Sequence, residues 1–241
     1  MARINAQNQY YKDLNKLIRS CGESDIELDN VMGQRFIACG MKGKNFLIHG
    51  VPGNALGAYL DGSSIEVTEN AQDAVGDTMN EGRIVIHGSV GDACGYAMRG
   101  GRIYIRDCAG YRAGIHMKAY KDKQPLVVIG DAAGSFLGEY QAGGTIIVLG
   151  LKQNGKPPVG YFCGTGMHGG KIYLRSDYPP FDLPPQVSCR EAQKSDLDDI
   201  RVKISEFCSI FNMDKEEIMS KHFLVLEPNS ANPYKQLYTN I

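Results

Sequence analysis

Short apolar runs recur along the chain with a near-constant spacing. They begin at Phe46 (FLIHG), Ile65 (IEVTE), Ile84 (IVIHG), Ile103 (IYIRD), Leu126 (LVVIG), Ile146 (IIVLG) and Ile172 (IYLRS), at intervals of 19, 19, 19, 23, 20 and 26 residues. Each run is apolar at its first and third positions, the period-2 signature of a strand with one buried face. Between the runs a glycine returns in phase: Gly57, Gly76, Gly95, Gly114, Gly138 and Gly164. The residue before it is always apolar or a small hydrophobe (Leu56, Val75, Cys94, Ala113, Leu137, Cys163). Three residues after it stand Leu60, Met79, Met98, Met117, Gln141 and Met167. The surplus residues fall in AYKDKQP (119–125) and KQNGKPP (152–158).

A unit of about 19 residues with no helical period is too short for a helix-pair repeat or a propeller blade. It can form one coil of short strands. Coils stacked about 4.8 Å apart bury together the face that one coil cannot bury alone. This predicts an all-β core, a single-stranded solenoid of about seven coils over 46–176. Its ends need covers, because a bare terminal coil exposes strand edges. Residues 1–45 supply a helix, with Tyr10, Leu14, Leu17 and Ile18 on one face, then strand-like runs at Ile26 and Phe36. Residues 177–241 supply a proline-rich exit and a helix capped at Ser195–Asp198 that carries Leu197, Ile200, Ile204, Phe207 and Phe211. A short helix from Asp214, a strand at HFLVLEP (222–228) and a docked tail at PYKQLY (233–238) follow.

Composition adds little. Lys and Arg number 26 against 27 Asp and Glu, so charge points to neither nucleic acid nor a membrane surface. Apolar runs such as IIVL (146–149) are far too short to span a bilayer, and the N-terminus has no signal-like apolar stretch. A cytoplasmic protein with seven reduced cysteines is expected. The 29 glycines exceed the average share and fit many tight corners.

The coils resemble the GXGXG domain of glutamate synthase, the C-terminal part of its large subunit, also found as a separate protein. The likeness rests on GNALGAYL (53–60), QDAVGDTMNEGRIVIHG (72–88), GDACGYAMRGGRIYIRDCAGYRAGIHM (91–117), GDAAGSFLGEYQAGGTIIVLG (130–150) and GTGMHGGKIYLRS (164–176). The same domain type is similar to one of the subunits of formylmethanofuran dehydrogenase. The resemblance implies a right-handed parallel β-helix with helical N- and C-terminal caps, carrying no catalytic residue. It implies a structural subunit of a glutamate-synthase-like complex in nitrogen assimilation, with glutaminase-type and FMN-binding partner subunits. FMN and iron–sulfur clusters are expected on those partners and none on this chain. A formylmethanofuran dehydrogenase-type assembly, or a stand-alone β-helix enzyme, is the alternative. The sequence leaves a homo-oligomer open.

Several stretches look like sites and mostly dissolve into the repeat. Gly164-Thr-Gly-Met-His-Gly-Gly170 contains G-x-G-x-x-G, but a strand follows it and no helix N-terminus is available for a phosphate. Only Gly166 and His168 depart from the repeat, standing where Ala97 and Arg99 stand in a sister coil. The P-loop-like GVPGNALG (50–57) lacks the closing Lys-Ser/Thr. His49 and His87 share an outward slot with Thr68, Arg106, Ile129, Leu149 and Arg175. Two coils separate them, about 10 Å, too far for one zinc ion. His116, His168 and His222 are expected exposed or hydrogen-bonded, and Cys94 and Cys163 buried. Asp73 and Asp92 share a slot in adjacent coils about 5 Å apart. They could work as paired acids, but a turn role is favoured by the residues in the same slot, Asn54, Tyr111, Ser135 and Tyr161. No catalytic, cofactor or metal residue is assigned.

Overall fold

The computed structural model describes residues 1–229. Eleven strands form one sheet: β1 (Ala2–Asn5), β2 (Asp25–Met32), β3 (Asn45–Val51), β4 (Asp61–Val67), β5 (Glu81–Ile86), β6 (Arg102–Ile105), β7 (Leu126–Ile129), β8 (Ala142–Val148), β9 (Gly169–Arg175), β10 (Val187–Glu191) and β11 (Phe223–Pro228). The helices are α1 (Tyr11–Ser20), α2 (Lys194–Phe211) and α3 (Lys215–Met219). From β1 to β9 every strand pairs in parallel with the next, and β11 then pairs antiparallel with both β9 and β10.

The register turns the repeat into ladders. Phe46 faces Ile65, then Ile84, Ile103, Val127, Ile146 and Ile172, all buried in one core. A second parallel column consists of single bridges, Ala71–Val90–Ala109–Ala133–Val159. The turns form a third. Gly76 N donates to Leu56 O at 2.8 Å, Gly95 N to Val75 O at 2.8 Å and Gly114 N to Cys94 O at 2.7 Å. Each turn carries left-handed residues at alternate positions, as at Ala74, Gly76 and Thr78. The outer two tolerate side chains because those point outward. The middle one does not: a Cβ on Gly76, at φ +68°, would sit 2.5 Å from Ile103 Cδ1. Glycine is needed there for conformation and for space together.

Three features depart from expectation. First, the fifth run is out of phase. Ile103 pairs with Val127, not with Leu126 or Val128, so Val127 and Ile129 face the core while Leu126 and Val128 face outward. A slip of one residue inverts every side chain, and LVVI is apolar throughout, so its pattern could not reveal the slip. The outward slot of His49 accordingly holds Gly130 in place of Ile129.

Second, the later strands are buried on both faces. Val85, Tyr104, Val128, Ile147, Tyr173 and Val225 pack outward against Ile200, Ile204 and Phe207 of α2 in a separate cluster. The C-terminal helix therefore flanks the sheet and does not cap its end. That end is closed by β11 and β10, with Val187 near the interior side of Gly164.

Third, local details shift. α1 buries Leu14 and Ile18 in the interior core but leaves Tyr10 and Leu17 exposed. Phe36 lies in a turn, at φ +60°, and not in a strand. α2 starts at Lys194 after Gln193, whose N–H bonds the Asp196 carboxylate at 3.0 Å, so the cap precedes Ser195. The helix expected from Asp214 is α3, with Asp214 Oδ1 accepting from Glu216 N and Glu217 N. The tail at 233–238 lies outside the described residues.

Four charged side chains fasten α2 to the closing strands. Arg190 Nη1 donates to Asp196 Oδ2 at 2.6 Å, Lys171 Nζ to Asp196 Oδ1 at 3.1 Å, and Arg190 Nη2 to Glu227 Oε2 at 2.9 Å. Asp196 is 3% exposed, and the Arg190 guanidinium holds its carboxyl well below the usual carboxylate range.

Candidate functional site

The motifs singled out in the sequence resolve into repeat mechanics. β9 begins inside the glycine stretch, at Gly169, so no helix opens after it. Gly166, which the repeat did not explain, is explained by its neighbour: a Cβ there would collide with the Tyr140 ring of the preceding coil. Tyr140 in turn stacks on His116, centroids 5.1 Å apart and planes 11° apart. His168 folds back on its own turn, with Nδ1 3.1 Å from Gly166 O. The P-loop-like segment is likewise a turn. A Cβ on Gly53 would run into Gly33 O.

Asp73 and Asp92 are exposed and act as caps between coils. Asp73 Oδ1 accepts from Asp92 N at 2.9 Å, and Asp92 Oδ1 from Tyr111 N at 2.8 Å. Ser135 Oγ repeats the bond to Tyr161 N at 3.1 Å. Gly91, Gly110 and Gly160, just before the receiving residue, leave room for those oxygens. The acid pair is thus a ladder of turn caps.

His49 and His87 bond a glutamate of the preceding coil, at 3.0 Å to Glu27 and 2.8 Å to Glu66. His87 also lies edge-on to Phe211 of α2, centroids 5.2 Å apart. Cys94 and Cys163 are fully buried, and burial pushes both thiols up to about 12.

Two arrangements were not expected from the sequence. Glu27, Asp29 and His49 bring possible metal-ligand atoms within 4.8 Å of one another. Arg3 already holds Asp29, with Nε 2.5 Å from Oδ2, so the group stands as an ion-pair network. Its signal was available: Glu27 and His49 are 22 residues apart and Glu66 and His87 are 21 apart, each one repeat plus a short offset. The second is a polar cavity beside the loop at 150–158. Among the described residues no helix is long and apolar enough to cross a membrane.

The GXGXG motif family model matches residues 12–228. The chain belongs to the GXGXG motif family. It is 45% identical, over an alignment of 249 positions, to an uncharacterised protein of Methanocaldococcus jannaschii, covering 98% of this chain and 95% of that protein. Among solved structures, it is similar to a chain of the formyltransferase/hydrolase complex of Methylorubrum extorquens, solved in complex with methylofuran. The TM-score is 0.65 at 20% identity, over 92% of this chain and 88% of that one. That match is a likeness of fold. The family resemblance drawn from the coil glycines is confirmed by the family match.

Proposed function

We propose that this GXGXG chain is a non-catalytic structural subunit of a multi-subunit enzyme, built as a right-handed parallel β-helix that holds partner subunits at fixed positions. The observation that carries this is how its polar ladders are used. Asp73 and Asp92 accept backbone N–H groups of the next coil, and His49 and His87 bond glutamates of the preceding one. These groups stiffen the stack, and their hydrogen-bonding capacity goes into it.

The likeness to a chain of a formyltransferase/hydrolase complex favours an assembly of that type, akin to formylmethanofuran dehydrogenase. A glutamate-synthase-like assembly is the second reading, supported by the coil motifs such as GDACGYAMRGG (91–101). In that reading FMN and iron–sulfur clusters belong to partner subunits, and so does glutaminase chemistry.

The test is direct. Purified full-length chain is offered glutamine and an N-formyl amine, with ammonia and formate as readouts. No turnover is expected. Sustained turnover that disappears in the Asp73→Asn/Asp92→Asn variant would restore the stand-alone enzyme.

A further inference from the structure

The repeat between β8 and β9 is lengthened by the loop at 150–158. Together with the outward end of β9 and the α3–β11 connection, this loop borders a cavity of about 390 Å³. Small-molecule sites commonly range from about 300 to 1,000 Å³. The lining is unusual for a scaffold surface. Lys156, Arg175 and Lys221 all line it, and none makes an ion pair among the described residues. The remaining residues, 230–241, contain no Asp or Glu.

Arg175 is the central residue. Its Nη1 donates to Leu149 O at 2.9 Å, while its Nε is shielded from solvent and has no partner. An arginine in a protein keeps its charge, so this half-buried guanidinium is an under-compensated cation. Two acids also line the cavity, Asp177 and Glu217, both exposed. Asp177 is engaged by His222, whose Nδ1 lies 3.7 Å away. Three fixed cations therefore outnumber the acids. Gln153 and Asn154 add amide donors on the loop side.

We propose that this cavity binds a small dianionic ligand of the phosphate monoester class. A guanidinium fork matches two phosphate oxygens, and lysines add point charges from the sides. The feature is independent of the scaffold role, because it is made by an insertion that the coils do not need.

Purified full-length chain is titrated with inorganic phosphate by calorimetry, with acetate and chloride at matched ionic strength as controls. One saturable phosphate site per chain is expected, with acetate and chloride much weaker. Arg175→Gln should weaken phosphate by roughly ten-fold or more, the scale of a lost charged hydrogen bond. Arg175 also ties down Leu149 O, so Lys156→Gln/Lys221→Gln, at two exposed positions, is the second variant and should weaken binding several-fold. Absence of saturable binding at tens of millimolar phosphate overturns the proposal. So does acetate binding as tightly as phosphate, or unchanged affinity in the double-lysine variant.

Discussion

Replacing Gly76 by alanine isolates the closest contact of the stack. Gly76 lies at φ +68°, and the added Cβ would sit 2.5 Å from Ile103 Cδ1 and 3.5 Å from its Cγ1. Two costs add. Forcing an L-residue into the left-handed region costs about 1–2 kcal/mol, reduced by up to about 1 kcal/mol because alanine also restricts the unfolded chain. Overpacking a dense interior adds about 1–3 kcal/mol. Gly155 separates the two, because at φ +71° its Cβ would meet nothing within 4 Å. Gly155→Ala should therefore show only the conformational cost, about 1 kcal/mol or less, and Gly76→Ala about 2–4 kcal/mol. Urea unfolding midpoints at unchanged slope measure both. If Gly76→Ala costs no more than Gly155→Ala, the turn glycines do not serve close packing against the strand ladder and the reasoning fails.

Other outcomes follow from individual groups. The Asp196 carboxyl is depressed in the folded state, so its stabilisation is present above the unfolded pKa near 4 and fades as pH falls through the lower folded value. Asp196→Asn should destabilise at pH 7 by about 2–4 kcal/mol and flatten the acid limb of a stability–pH curve; an unchanged limb would mean the cluster is inert. Cys94 and Cys163 have raised thiol pKa values near 12, so they should resist a thiol reagent at pH 8 until the chain unfolds, and labelling as fast as free thiols would contradict their burial. Gln141 is fully buried with Oε1 unpaired, in a slot that holds Met79, Met98, Met117 and Met167 in other coils. Gln141→Met should be neutral or stabilising by up to about 1 kcal/mol in thermal unfolding; a loss above that would show that its bonds to Gly143 O and Gly144 O, each 3.2 Å, hold the turn.

Much of the architecture was legible because repetition reports on itself. An apolar residue returning in phase fixes a ladder, and a glycine returning beside it fixes the turn that packs on that ladder. What escaped depended on contacts between coils or between distant segments. The slip at Leu126 hid in a run with no polar residue to mark a face. The apolar stripe of α2 announced a helix, but only the outward Tyr104, Ile147 and Tyr173 show where it lands, and a period-2 pattern assigns those positions to solvent. Gly166 looked functional because its reason, the ring of Tyr140, stands 26 residues earlier. Asp73 and Asp92 were legible as turn residues, though the N–H groups they cap belong to the following coil. The cavity at Arg175 has no sequence signature, since its cations come from three separate segments.

The central claim is that the chain works as a structural member of a larger enzyme. Native mass spectrometry on the chain, tagged at its own locus and purified gently from its own cells, tests this most directly. The expected result is a stable assembly in which the chain is present in fixed stoichiometry with larger catalytic subunits. A chain that emerges by itself, as monomer or homo-oligomer, and turns over a substrate unaided would contradict it.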